Sequence, residues 1–125
     1  MRLLLDTHIF IWTLDDDPKL SDAAWSTIEA AEAVYISSAS IWEATIKYQL
    51  GKLHIEPDKL AGAVAPSGFL ELPIDHRHVV AVRHLPAVHR DPFDRLLIAQ
   101  AISEPLHFLT ADGILQKYSE LVRLV

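Results

Sequence analysis

Short apolar runs separated by longer stretches of helical periodicity set the pattern of this chain. Leu3-Leu4-Leu5 is a continuous apolar triplet that stops at Asp6, and it predicts a short buried strand over residues 2–5. A helix is predicted over 8–14, with Thr7 as its N-cap. Asp15-Asp16-Asp17-Pro18 reads as a loop, and Ser21 caps a second helix running to about residue 32. Residues 33–36 read as a strand. Ser38 then caps a long helix over 39–50, closed by Gly51. A helix over 58–64 ends before Pro66 and Gly68, and 69–72 reads as a third strand. Residues 75–84 predict a helix and 85–90 a loop. Asp91 caps the next helix, over 92–104, with Pro92 at the first helical position, where a missing N–H costs nothing. A strand at 107–109, a short helix at 112–118 and a strand at 122–124 complete the series.

Strands alternating with helices predict an α/β fold, with a mostly parallel central sheet covered on both faces. In such folds ligands sit beyond the carboxyl ends of the strands. The polar residues at those ends are Asp6, Thr7, Ser37, Ser38, Thr110 and Asp112.

The length of 125 residues predicts a single domain spanning 1–125, and an apolar fraction of 50% is enough for one sizeable core. No apolar run approaches the roughly 18 residues that span a bilayer, and no signal-peptide pattern follows the opening triplet. A cytoplasmic location without a membrane partner is expected. The cysteine count of 0 excludes disulfides, zinc–thiolate centres and thiol nucleophiles, so any metal must be held by oxygen or imidazole. A net charge of -6 argues against a protein that coats nucleic acid nonspecifically. It leaves room for a nuclease whose clustered carboxylates bind cations.

Asp6 follows the first strand directly, where a helix cap and a metal ligand are both open readings. Glu43 lies inside the 39–50 helix. Ala39, Trp42, Ile46 and Leu50 make one apolar face of it, and Ile41, Ala44 and Tyr48 another, so that helix is expected to be largely buried. A carboxylate there needs a partner or a metal, and Lys47 stands at the i,i+4 spacing of an ion pair. Pairing and metal service stand side by side for Glu43. Asp91 and Asp94 open an apolar helix; a cap explains Asp91 well and Asp94 less well. Asp112 follows the fourth strand, where it caps a helix or begins a turn with Gly113. Gathered carboxylates repel one another and titrate upward unless a cation neutralises them. An all-oxygen cluster suits Mg²⁺ or Mn²⁺, and that chemistry points to phosphodiester hydrolysis.

Other residues carry less. His76 and His78 are two apart, no HExxH pattern is present, and the histidines are expected mostly at the surface, with His89 near the mouth of the site. Trp12, Trp25 and Trp42 are expected in the core or in dimer contacts. Asp15-Asp16-Asp17 lacks the spacing of a calcium loop.

Taken in order, Leu5-Asp6-Thr7-His8, Ser37-Ser38-Ala39-Ser40-Ile41-Trp42-Glu43 with Lys47, Asp91-Pro92-Phe93-Asp94-Arg95-Leu96-Leu97-Ile98-Ala99-Gln100-Ala101 and Leu109-Thr110-Ala111-Asp112 resemble a PIN-domain protein of the VapC type. The likeness covers nearly the whole chain. Its specific parts are the Trp-Glu and Asp-Pro-Phe-Asp-Arg segments. The resemblance implies a three-layer α/β/α sandwich and a Mg²⁺-dependent ribonuclease, with Mn²⁺ as a substitute ion. It implies an acidic quartet of Asp6, Glu43, Asp94 and Asp112. The first three would be the principal ligands, and Asp112 would complete a second position or orient the attacking water. Thr7 and Thr110 would support these ligands, and Asp91 would cap its helix and assist. Arg95 would touch substrate phosphate or balance the cluster, while Lys47 would balance it. The resemblance also implies a homodimer silenced by a small VapB-like antitoxin in a larger complex.

Two other Mg²⁺-dependent phosphoryl chemistries fit less well. A receiver domain would want an acidic pair at the first strand and a lysine after the last one, and Asp6 is single. A haloacid-type phosphatase would want an aspartate where His8 stands. A scaffold that binds RNA or a protein without cutting would have no need of an intact quartet.

Overall fold

A computed structural model describes residues 1–125. In order the elements are β1 (Arg2–Leu5), α1 (Thr7–Asp15), α2 (Asp22–Ala30), β2 (Ala33–Ser37), α3 (Ser38–Gln49), α4 (Pro57–Gly62), β3 (Leu70–Leu72), α5 (His76–Ala81), α6 (Pro92–Ser103), β4 (His107–Thr110) and β5 (Val122–Leu124). Two 3-10 turns, Val82–His84 and Gly113–Lys117, fill the places where the sequence predicts the end of one helix and all of another.

The five strands form one sheet in the order β3-β2-β1-β4-β5, and every pairing is parallel. The sheet is therefore wholly rather than mostly parallel. β1 sits at its centre, with β2 on one side and β4 on the other. The chain winds outward through β2 and β3, then crosses back to β4 and β5. That reversal leaves a crevice beyond the carboxyl ends of β1 and β4.

Side chains alternate across a strand, so the Leu3-Leu4-Leu5 triplet feeds two cores. Leu3 and Leu5 join Ile9 and Phe10 of α1, Ala24 and Ile28 of α2, and Leu60 of α4 on one face. Leu4 joins Leu97, Ile98 and Ala101 of α6 with Phe108 on the other. The result is helix, sheet and helix in three layers.

Two caps stand one residue earlier than the sequence predicts. Asp6, for which a cap is one of two open readings, caps α1 in place of Thr7, and Ser37, not Ser38, caps α3. In both cases strand passes into helix without a loop, so the residue that ends the strand region must also satisfy the first helical N–H groups. The burial of α3 also differs from expectation. Trp42 is 57% exposed and Leu50 63% exposed, whereas Ala39, Ser40, Glu43 and Ala44 are buried. A stripe of small side chains lets the helix approach the sheet closely and turns the large apolar face outward. Trp42 packs edge-on against Phe93, with ring centroids 4.9 Å apart. Trp12 and Trp25 pack against the first core, as expected of them.

Candidate active site

Asp6 occupies the crevice at the end of β1. Its backbone N–H donates to Leu109 O at 2.9 Å, which extends the β1–β4 ladder by one residue and fixes the side chain beyond it. One carboxylate oxygen accepts from the Thr7 N–H and the other from the Thr110 hydroxyl, each at 2.7 Å. The Thr110 hydroxyl in turn accepts from the Asp112 N–H at 3.1 Å. Thr7 donates its own hydroxyl to Ser40 at 2.9 Å and so ties α1 to α3. The two threonines therefore fasten Asp6 and its surroundings from both sides.

Glu43 projects from the buried side of α3. One carboxylate oxygen lies 3.1 Å from the Lys47 ammonium. The other, Oε1, is buried without any hydrogen-bond partner. Such an orphan acceptor carries a desolvation cost that a ligand would relieve. Asp94 is the third residue of α6. The Asp91 carboxylate accepts from the N–H groups of Phe93 and Asp94 at 2.9 and 3.3 Å and fixes that first turn. The Asp94 carboxylate meets the His89 ring at 3.0 Å.

His89, Asp94 and Asp112 each present a ligand atom within 4.8 Å of the other two. Asp6 and Glu43 lie near enough for their charges to act on Asp94. Its carboxyl is pushed up to about 7, first by burial and then by the charges of Asp6, Asp91 and Glu43, while the His89 hydrogen bond opposes the shift. Asp6 is also raised, chiefly by burial, with the Thr110 and Thr7 hydrogen bonds opposing. The four quartet residues thus gather around one crevice. Asp112 stands on its exposed rim, where its side chain also accepts from the Ile114 N–H.

The donor set fits a hard divalent cation. It is nearly all oxygen, one buried oxygen has no partner, and the Asp6 and Asp94 carboxyls are raised by burial, with neighbouring carboxylate charges adding to the shift. Lys47 supplies the charge balance expected of it. Arg95 is committed elsewhere. Its guanidinium donates to the carbonyls of Pro86 and Val82 at 2.9 and 3.3 Å and to the Tyr118 hydroxyl at 3.2 Å, which pins the segment leading to His89.

Three features escape the sequence pattern. His89, expected near the mouth of the site, lies there and is a direct partner of Asp94, which the sequence does not announce. Ser37 donates to Gln100 at 2.5 Å, joining the cap of α3 to α6 beneath the site. His78, expected at the surface, is 1% exposed, and its ring bonds Glu104. Burial of His78 follows from α5 packing on α6, which leaves no periodic trace in a six-residue helix.

A parallel α/β domain with a carboxylate-lined crevice at the reversal of strand order defines the class. The PIN-domain family model matches residues 3–121, and the chain belongs to that family. No curated protein matches it in sequence. Solved structures resemble it in fold. VapBC2 from Rickettsia felis bound to a promoter DNA fragment aligns with a TM-score of 0.71 at 15% identity, covering 100% of this chain and 98% of that one. A toxin–antitoxin complex from Klebsiella pneumoniae gives 0.67 at 17%, over 97% and 95%. DNA-bound VapBC from Salmonella typhimurium gives 0.66 at 18%, over 100% and 97%.

Proposed function

We propose that this protein is a divalent-cation-dependent endoribonuclease and the toxin of a VapBC-like pair, acting as one domain over residues 1–125. The observation that carries the reading is the partly buried acidic crevice, with Glu43 Oε1 orphaned and Asp94 raised to about 7. Asp6, Glu43 and Asp94 are the residues to hold Mg²⁺, or Mn²⁺ in its place, and Asp112 completes the set on the exposed side. When bound, the ion polarises the scissile phosphate and acidifies a water.

The chain's own groups do the rest. Thr110 and Thr7 hold the Asp6 carboxylate at both oxygens, and the Asp91 cap sets the height of Asp94. Lys47 and His89 hold Glu43 and Asp94 in place. Asp112, exposed beside Asp94, is positioned to orient the attacking water.

The neighbours in fold include VapBC and toxin–antitoxin complexes, which supports an antitoxin partner. An apolar cavity of about 380 Å³ lined by Trp42, Ile74, Val79, Val82 and Phe93 is surface for such a partner or for a second copy to cover. No helix is long and apolar enough to cross a membrane.

Expression of the chain alone is expected to arrest growth, and Asp6→Ala or Asp94→Ala to relieve the arrest. Purified protein should cleave RNA with Mg²⁺ or Mn²⁺, and neither variant should. Equal toxicity of the variants would contradict the reading.

A further inference from the structure

A second cleft, of about 410 Å³, opens beside the acidic crevice between the end of α3 and the start of α6. Glu43 and Asp91 lie in its wall, and Lys47, Lys52 and Arg90 line it with Phe93. The site carboxylate and three cations thus share one cleft in a chain whose net charge is -6.

Lys47 is engaged with Glu43. Lys52 and Arg90 are exposed, and neither side chain has an ion pair or a hydrogen bond within the protein. Their places are set by the backbone. Gly51, at φ +73, turns the chain back after α3, and the Lys52 N–H donates to Lys47 O at 2.8 Å. That turn keeps Lys52 against the last turn of the helix that carries Glu43. Arg90 immediately precedes Asp91, whose cap fixes the first turn of α6 and Asp94. Two segments distant in sequence therefore each deliver one free cation next to a residue of the acidic site.

We propose that Lys52 and Arg90 form a phosphate track that guides the RNA backbone past Lys47 to the carboxylates. The identity of the substrate rests on the nuclease reading above. A polyanion approaching a crevice of carboxylates is repelled until a cation offsets the charge, and unpaired cations beside the crevice lower that barrier where the strand must pass. The apolar lining from Ile46, Leu50 and Phe93 gives the same cleft surface for sugars and bases, which a site for a small free anion would not need. An acidic polypeptide is the competing occupant, and the test separates the two.

The experiment uses full-length protein and a fluorescein-labelled single-stranded mixed-sequence oligoribonucleotide, with Ca²⁺ replacing Mg²⁺ to prevent cleavage. Binding is followed by anisotropy across a salt series for wild type, Asp6→Ala and the double variant Lys52→Ala/Arg90→Ala. Loss of two phosphate contacts should reduce the slope of log affinity against log salt by about 1.4, at about 0.7 per contact for a single strand. In Mg²⁺ the double variant should raise KM and leave kcat nearly unchanged. Asp6→Ala should lose cleavage and keep the wild-type slope. A reduced slope in a protein that cleaves no RNA would uphold the track and sink the nuclease reading. Superimposable slopes for wild type and the double variant overturn the track, as does wild type that binds no RNA. Unchanged RNA binding, with a labelled oligoglutamate peptide that binds wild type and not the double variant, also overturns it and assigns the cleft to an acidic polypeptide.

Discussion

Replacing Asp94 by asparagine removes the charge that the crevice tolerates least, and the consequence depends on whether a cation is present. The Asp94 carboxyl is raised from 3.8 to about 7. Because its folded pKa lies above its unfolded one, the folded state holds a proton that the unfolded state releases between those values. Stability from this group is complete below pH 3.8 and is lost as pH rises toward 7. At about 1.36 kcal/mol per pK unit, a shift of roughly three units sets a ceiling of about 4 kcal/mol. The Asp94 side chain is 14% exposed and borders the exposed Asp112, so water reaches the crevice. Solvent screening reduces the expected gain to about 1–2 kcal/mol. In EDTA, Asp94→Asn should therefore match wild type near pH 4 and exceed it by about that amount at pH 8. Adding Mg²⁺ or Mn²⁺ should reverse the order, since an ion at a hundred times its Kd stabilises wild type by about 2.7 kcal/mol and the variant hardly at all. Denaturant melts at a series of pH values, with and without the ion, give the differences directly. A difference that does not change with pH, or a variant less stable than wild type in EDTA at pH 8, would refute the electrostatic account of the site.

Lys47→Met should destabilise the metal-free protein by about 1–2 kcal/mol, because it leaves Glu43 buried with neither oxygen paired; the lysine's partial exposure keeps the cost below that of a fully buried pair. Saturating Mn²⁺ should recover most of that loss, which a thermal melt will read. Thr110→Val should cost about 1–3 kcal/mol by stripping one oxygen of Asp6 and the Asp112 N–H of their partner. It should also weaken divalent-ion affinity about 10–100-fold, as loss of a ligand's supporting hydrogen bond does, measured by calorimetric titration.

Much of the fold can be read from the pattern because its elements are short and strongly punctuated. The Leu3-Leu4-Leu5 triplet is fully buried on both faces of the central strand, and a buried parallel strand has to look like that. The Asp91-Pro92 start of α6 is as local as a helix signal becomes. What failed was geometry set by neighbours. The buried face of α3 differs from the expected one because large apolar residues mark a buried face only when nothing smaller packs better. Here Ala39, Ser40 and Ala44 do, and Trp42 turns out to solvent. The four acidic positions were legible from strand ends and from a carboxylate inside a helix. Their convergence follows from the resemblance rather than from the local pattern, since it depends on the return of the chain from β3 to β4 across the sheet. The His89–Asp94 contact is hidden in the sequence for a related reason. His89 lies in an aperiodic segment whose path is fixed by Arg95 and Tyr118, and nothing in residues 85–90 announces that constraint.

A crystal soaked in Mn²⁺ and measured at the manganese absorption edge gives the most direct view of where a cation goes. An anomalous peak coordinated by Asp6, Glu43 or Asp94 in the crevice between β1 and β4 is the expected result. A peak confined to the separate Asp75, His78 and Glu104 cluster, or none at saturating Mn²⁺, would show that the carboxylates do not gather to hold an ion.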